Sequence, residues 1–180
     1  MWRHATSTPG RPQTNGIAER AVRTVLEGAR AILHASGLPT RWWSRAVRFY
    51  CFMHNVTKGR EGRPTPWELR FGEPFMGELH PFGCEIAYKY ALKDQNINDP
   101  KFGPSGRRGI LLGYHMNPGG KWSKDFQVLD LEAIDYNFGT KYVRTRRCGE
   151  VWRKRGIPTF PCKEILPQIL APPGPAALLR

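Results

Sequence analysis

The feature that most constrains this chain is a change of hydrophobic period part of the way along it. In the first 70 residues apolar side chains recur at helical spacing, whereas from residue 84 onward they come in short runs rich in β-branched, aliphatic and aromatic residues. Helices and strands must each bury one face, so a helix-period segment followed by a strand-period segment predicts an α+β fold. Ala18, Ala21, Val22, Val25, Ala29, Ile32 and Leu33 fall on one stripe, predicting a helix over 15–36 that is capped by Thr14 or Asn15 and stopped by Gly37. Pro39 opens a second helix over 39–54, with Trp43, Ala46, Val47, Tyr50, Cys51 and His54 on its apolar face. Thr65-Pro66-Trp67-Glu68 reads as a cap followed by proline in the first turn of a short helix. Strands are expected at 84–90, 109–114, 126–131 and 140–145, bounded by Gly, Pro, Asn and Asp clusters. Four or five strands at this spacing predict a small antiparallel sheet or barrel. Prolines at 161, 167, 172, 173 and 175 predict an extended tail. The expected units are a helical part over 1–75, a β module over 76–160 and a Pro-rich tail over 161–180.

Charge narrows the choice of partner. The formal net charge is +13, from 28 Lys and Arg against 15 Asp and Glu. It is divided unevenly: +8 over residues 1–70, −2 over 71–139 and +7 over 140–163. Two basic blocks around a near-neutral middle point to a polyanion. Neither block carries a membrane-seeking apolar face, so nucleic acid is preferred to an anionic membrane. No apolar run approaches the roughly 20 residues of a membrane span, and no apolar stretch follows Met1-Trp2-Arg3-His4. An intracellular protein, nuclear or cytoplasmic, is the expectation. Cys51, Cys84, Cys148 and Cys162 are scattered and form no Cys-x-x-Cys pair, which predicts reduced, buried thiols in place of a zinc site or disulfide framework. In the second block Arg144, Arg146, Arg147, Arg153, Lys154 and Arg155 cluster with Tyr142 and Trp152. They read either as a solvated strand face and loop or as phosphate contacts with aromatics for stacking.

Glu19 also admits two readings. It sits in the first turn of the expected helix, where a negative charge suits the helix dipole. Arg23 and Glu27 follow at i,i+4 spacing, and such a laced polar face contributes only about 0.2–0.5 kcal/mol per pair. At about 100° per residue, however, Glu19, Arg23 and Arg30 lie along the border of the apolar stripe, not opposite it. A carboxylate there is half shielded yet can reach a ligand, and the neighbouring arginines can meet phosphates in bidentate fashion.

The residues from Thr8 to Arg20, Thr-Pro-Gly-Arg-Pro-Gln-Thr-Asn-Gly-Ile-Ala-Glu-Arg, resemble the Pro-Gln-x-Asn-Gly-x-x-Glu signature of copia-type retrotransposon integrases. Leu38-Pro39 with Trp43 and Ala46, Asn55, Thr65-Pro66-Trp67-Glu68, Phe82-Gly83-Cys84 and Gly109-Ile110-Leu111-Leu112-Gly113-Tyr114 match further family segments in order, over roughly residues 5–150. The resemblance implies the helical remnant of a ribonuclease H-like integrase core followed by the β module. It implies a DNA partner and an active site of two Asp and one Glu holding two Mg²⁺ or Mn²⁺ ions for in-line displacement at phosphorus. It assigns Glu19 to the third acid and metal ligand, and places Gln13, Asn15 and Arg23 beside DNA; Arg20 and Arg30 on the same helix are further candidates for DNA contact.

The stretch before Glu19 holds no Asp, and Asp94, Asp99, Asp125, Asp130 and Asp135 match no active-site motif. One carboxylate cannot satisfy two octahedral ions. The expectation is therefore a truncated Pol polyprotein fragment that binds no metal and transfers no strand alone, yet retains DNA binding. Its apolar helix faces, Trp42, Trp43, Phe49 and Tyr50 among them, are expected to be partly unpartnered, which invites self-association. The alternative is a non-enzymatic nucleic-acid-binding or interaction module using only the basic surface.

Overall fold

A computed structural model describes residues 16–57, 59, 62–89, 106–131 and 145–164. The architecture is α+β. Three helices, α1 (Gly16–Ser36), α2 (Trp43–Thr57) and α3 (Pro66–Phe71), precede five strands: β1 (Glu85–Lys89), β2 (Gly106–Met116), β3 (Trp122–Asp130), β4 (Thr145–Cys148) and β5 (Val151–Trp152). The second helix starts later than the sequence suggests. Pro39 stands in extended conformation ahead of a single 3-10 turn at Thr40–Trp42, and the α-helix begins only at Trp43. At α3 the expected cap is formed in full. The Glu68 N–H donates to Thr65 Oγ1 at 3.2 Å, the Thr65 N–H donates to Glu68 Oε2 at 2.6 Å, and Pro66 fills the first turn.

The sheet is antiparallel throughout, in the order β4-β3-β2-β1-β5. Its edge strands are β4 and β5, yet only Gly149 and Glu150 separate them in the chain. In a flat sheet they would lie about 19 Å apart at ~4.8 Å per strand. Three residue steps from Cys148 to Val151 reach at most about 11 Å. The sheet must therefore curl until its two edges approach at this corner, which gives the five-stranded antiparallel sheet the form of a partly open barrel with no β4–β5 pairing among the described residues. Irregular register between Leu111 and Gly113, and again between Tyr114 and Met116, bends β2 along its length.

Helices and barrel share one hydrophobic core. Its centre is aromatic: Phe52 of α2 stacks on Tyr114 of β2 at 4.3 Å, and Phe75 packs edge-on against Phe52 at 5.2 Å. Trp67 of α3 approaches Phe52 edge-on at 6.0 Å, and Trp122 reaches Phe75 at 5.1 Å. The Tyr114 hydroxyl donates to the Glu78 carbonyl at 2.9 Å and accepts the His80 N–H at 3.0 Å, which satisfies its polar end within the core. Phe49 and Phe52 thus find in the barrel a surface to bury against.

The stripe on α1 behaves differently. Ala29, Leu33 and Ser36 in its second half are buried, whereas Ile17, Val22 and Leu26 are exposed at 91%, 58% and 40%. The expected apolar face is therefore only half used, because α2 covers the C-terminal half of α1. The end of α1 is fixed by Ser36, whose Oγ donates to the Leu33 carbonyl at 2.7 Å and accepts the Leu38 N–H at 3.2 Å. Gly83 docks against that residue. Its φ is +75°, and a Cβ there would stand 2.3 Å from Ser36 Cβ, so only glycine fits.

The first residues of the expected tail are not extended. Pro161–Glu164 form a helical turn in which Cys162 is fully buried, so this segment belongs to the core. The expected strand at 140–145 lies outside the described residues except for Thr145, where β4 begins. All four cysteines are free, and Cys84, Cys148 and Cys162 are buried. Burial pushes these three thiols up to about 12, which leaves them protonated and unreactive.

Candidate nucleic-acid interface

Glu19 occupies the first turn of α1 and is exposed. With Val22, Arg23, Leu26, Glu27 and Arg30 it lines one shallow hollow on the helix surface. The structure therefore brings Arg23 and Arg30 to the same face as Glu19, as the helical wheel requires. Arg20 is exposed but does not line the hollow. Gln13, Asn15 and Arg144 lie outside the described residues. The i,i+4 lacing is not formed: among the described residues neither Glu19 nor Glu27 makes an ion pair with Arg23 or Arg30.

A divalent ion does not fit the carboxylates seen here. Among the described residues no three His, Cys, Asp or Glu side chains converge. Glu19 can offer a metal one carboxylate, and Mg²⁺ needs more oxygen ligands than that in octahedral array. Asp94, Asp99 and Asp135 lie outside the described residues, while Asp125 and Asp130 are engaged by arginines of β4.

Those pairings change the reading of the second basic block. Arg147 Nε donates to Asp125 Oδ2 at 2.6 Å. Arg146 Nε lies 3.8 Å from Asp130 Oδ2, which also accepts from the Tyr88 hydroxyl at 3.0 Å. Arg153 turns inward, half buried, and its Nη1 donates to the Gly156 carbonyl at 2.9 Å, fixing the loop after β5. Arg146 and Arg147 thus link β4 to β3, while Arg153 fixes only the loop after β5. Lys154 and Arg155 remain exposed beside Trp152, itself 49% exposed. Trp152 and Lys154 line a groove with Arg108, Ile157 and Thr159. On its floor Glu85 accepts from Arg108 Nε at 2.6 Å and from Thr159 Oγ1 at 3.2 Å. Its carboxyl is held below the usual carboxylate range, chiefly by the Arg108 hydrogen bond.

A second basic constellation escaped the sequence reading. Arg45 and Arg48 of α2 and Arg70 of α3 line a cleft of about 700 Å³ between these helices and β2. The i,i+3 spacing of Arg45 and Arg48 was a legible signal of a basic helix edge. The approach of Arg70 was not, because it depends on how α3 packs.

Among the described residues, no helix is long and apolar enough to cross a membrane. No family model matches the chain, and no solved structure matches it. Curated proteins do. The chain is 34% identical over 117 residues to the Retrovirus-related Pol polyprotein from transposon TNT 1-94 of Nicotiana tabacum, a match covering 62% of this chain. It is 28% identical over 115 residues to the Retrovirus-related Pol polyprotein from transposon RE1 of Arabidopsis thaliana, covering 63% of this chain. In each case the match spans only 8% of the polyprotein's length. The chain is thus homologous to a short part of plant-transposon Pol polyproteins.

Proposed function

We propose that this chain corresponds to the integrase part of such a polyprotein, of copia type, and that it serves DNA integration by binding DNA. The observation that carries the reading is the surface of α1. Glu19 stands unpaired among the described residues, in one hollow with Arg23 and Arg30, at the position where the Pro-Gln-x-Asn-Gly-x-x-Glu signature sets a metal-binding glutamate. In this reading α1 and α2 belong to a ribonuclease H-like core, whose remaining strands would cover the exposed Ile17, Val22 and Leu26. Glu19 would hold a divalent cation, Mg²⁺ or Mn²⁺, only together with oxygen ligands from elsewhere in the polyprotein. Such a cation would supply activation of a hydroxyl for phosphodiester chemistry. Arg23 and Arg30 hold the phosphates of the DNA end, and Lys154 and Arg155 with Trp152 grip duplex further along. An exposed apolar stripe of this kind also supports self-association.

Two measurements test the proposal. Duplex DNA binding by this chain is expected to weaken steeply with salt, with a log–log slope near −0.9 per phosphate neutralised. Lys154→Gln with Arg155→Gln should lower that slope by about two. A flat salt dependence would remove the DNA-binding reading. In the intact polyprotein, Glu19→Gln is expected to abolish strand joining while leaving DNA binding in place. Joining that survives the substitution would remove Glu19 from the site.

A further inference from the structure

The loop that follows β5 is held in shape, yet it carries an apolar side chain out into solvent. It leaves the sheet where Trp152 pairs with Ala87 of β1. It returns to the same edge of β1, where the Thr159 carbonyl accepts the Glu85 N–H at 2.9 Å. Between these anchors Arg153 Nη1 donates to the Gly156 carbonyl at 2.9 Å and to the Lys154 carbonyl at 3.4 Å. Gly156 takes a φ of +112°, a turn that favours glycine, and Pro158 restricts the backbone of the residue before it to extended conformations. That residue, Ile157, is 92% exposed, the most exposed large apolar side chain among the described residues. A single apolar residue on a surface is ordinary. This one, however, stands on a loop pinned at both ends and through its middle, which holds it away from the core.

The charge around Ile157 selects the partner. Lys154 and Arg155 are exposed on the same loop, and neither makes an ion pair among the described residues. One isoleucine and a half-exposed tryptophan offer far less apolar area than the roughly 800 Å² per partner of a stable protein interface. The loop also lacks the amphipathic helix that would lie in a membrane surface. Duplex DNA asks for what the loop has: cations for neighbouring phosphates and one short apolar wedge that can enter a base step. A β-branched side chain is stiff about its first torsion, so Ile157 has little rotamer freedom to lose on insertion.

We propose that Ile157 is a wedge that enters one base-pair step of duplex DNA from the minor groove and kinks it, while Lys154 and Arg155 hold neighbouring phosphates. This rests on the DNA-binding reading above and deepens it. Insertion unstacks one step, and pyrimidine–purine steps such as TA and CA yield most readily. The loop therefore favours deformable sequence without a hydrogen bond to any base.

The test uses this chain with a duplex that carries 2-aminopurine at a central TA step and a donor–acceptor dye pair at its ends. Saturating binding is expected to raise 2-aminopurine fluorescence about twofold or more and to shorten the end-to-end distance, as a kink of roughly 20–90° requires. Ile157→Ser, at an exposed position, should abolish both signals yet keep the salt slope of binding, because that slope counts phosphates. Ile157→Leu should retain both. A duplex that stays straight and stacked under the saturating unsubstituted chain overturns the wedge while leaving DNA binding intact. A kink that survives Ile157→Ser does the same. Absence of duplex binding by the unsubstituted chain instead overturns the broader reading. Sedimentation with phosphatidylserine vesicles that Ile157→Ser abolishes, beside an unkinked duplex, would assign the loop to a membrane and overturn the proposal.

Discussion

His80 shows how a single side chain can be built for one protonation state. Its ring is fully buried, and neither nitrogen has a hydrogen-bond partner among the described residues. Burial lowers its pKa from the usual 6.5, Glu78 at 3.7 Å opposes the shift, and Arg153 adds to it. The folded state therefore binds the proton less tightly than the unfolded chain does. The sign follows: stability is fully present above about pH 6.5 and falls as the pH drops below it, until the folded-state value is passed. Thermal denaturation followed from pH 8 to pH 5 should show a decline that His80→Phe reduces. A variant with an unchanged decline would assign the loss to other groups. The same distinction of surroundings applies to glycines that motif matching alone leaves mute. Gly109 of β2 is one: a Cβ there would stand 2.6 Å from Val128 Cγ1 and 2.8 Å from Tyr88 Cε1, both fully buried residues.

Among the elements, α1 is divided by its packing, not by its sequence. Its apolar stripe is continuous, and helix formers run through it, yet only the half from Ala29 onward meets a partner. Helices of this length hold together mainly through tertiary burial, so its first turns have little beyond local hydrogen bonds to resist opening. Amide hydrogen exchange is expected to be fast over residues 19–26 and slow over 29–36, within the same helix. Uniform protection along α1 would show that its first half is covered after all. At α3 the reverse holds. A six-residue helix, too short to persist alone, is secured by the Thr65–Glu68 capping box at one end and by Trp67 in the aromatic cluster.

Taken together, the molecule depends on one ring. Phe52 touches Tyr114, Trp67 and Phe75, and so joins α2 to α3, to the segment after it and to the barrel. Phe52→Ala should cost about 3–5 kcal/mol. Unfolding followed by far-ultraviolet circular dichroism and by tryptophan fluorescence should remain coincident in the unsubstituted chain. Separate transitions would mean that helices and barrel unfold independently. Much of this fold was legible beforehand: the change of hydrophobic period marked helices before strands, the Thr65-Pro66-Trp67-Glu68 cap formed as written, and scattered cysteines became free thiols. Such features arise from neighbours within a few residues of one another, so the order of side chains suffices to specify them. Which arginines pair within the fold and which stay open to solvent was not legible. Asp125 and Asp130 lie 22 and 16 positions from Arg147 and Arg146 and meet them only when β3 and β4 pair. The cleft of Arg45, Arg48 and Arg70 likewise exists only once α2 and α3 close on β2. Charge is written along the chain, but whether it is spent inside the fold or left for a partner depends on what long-range packing places beside it.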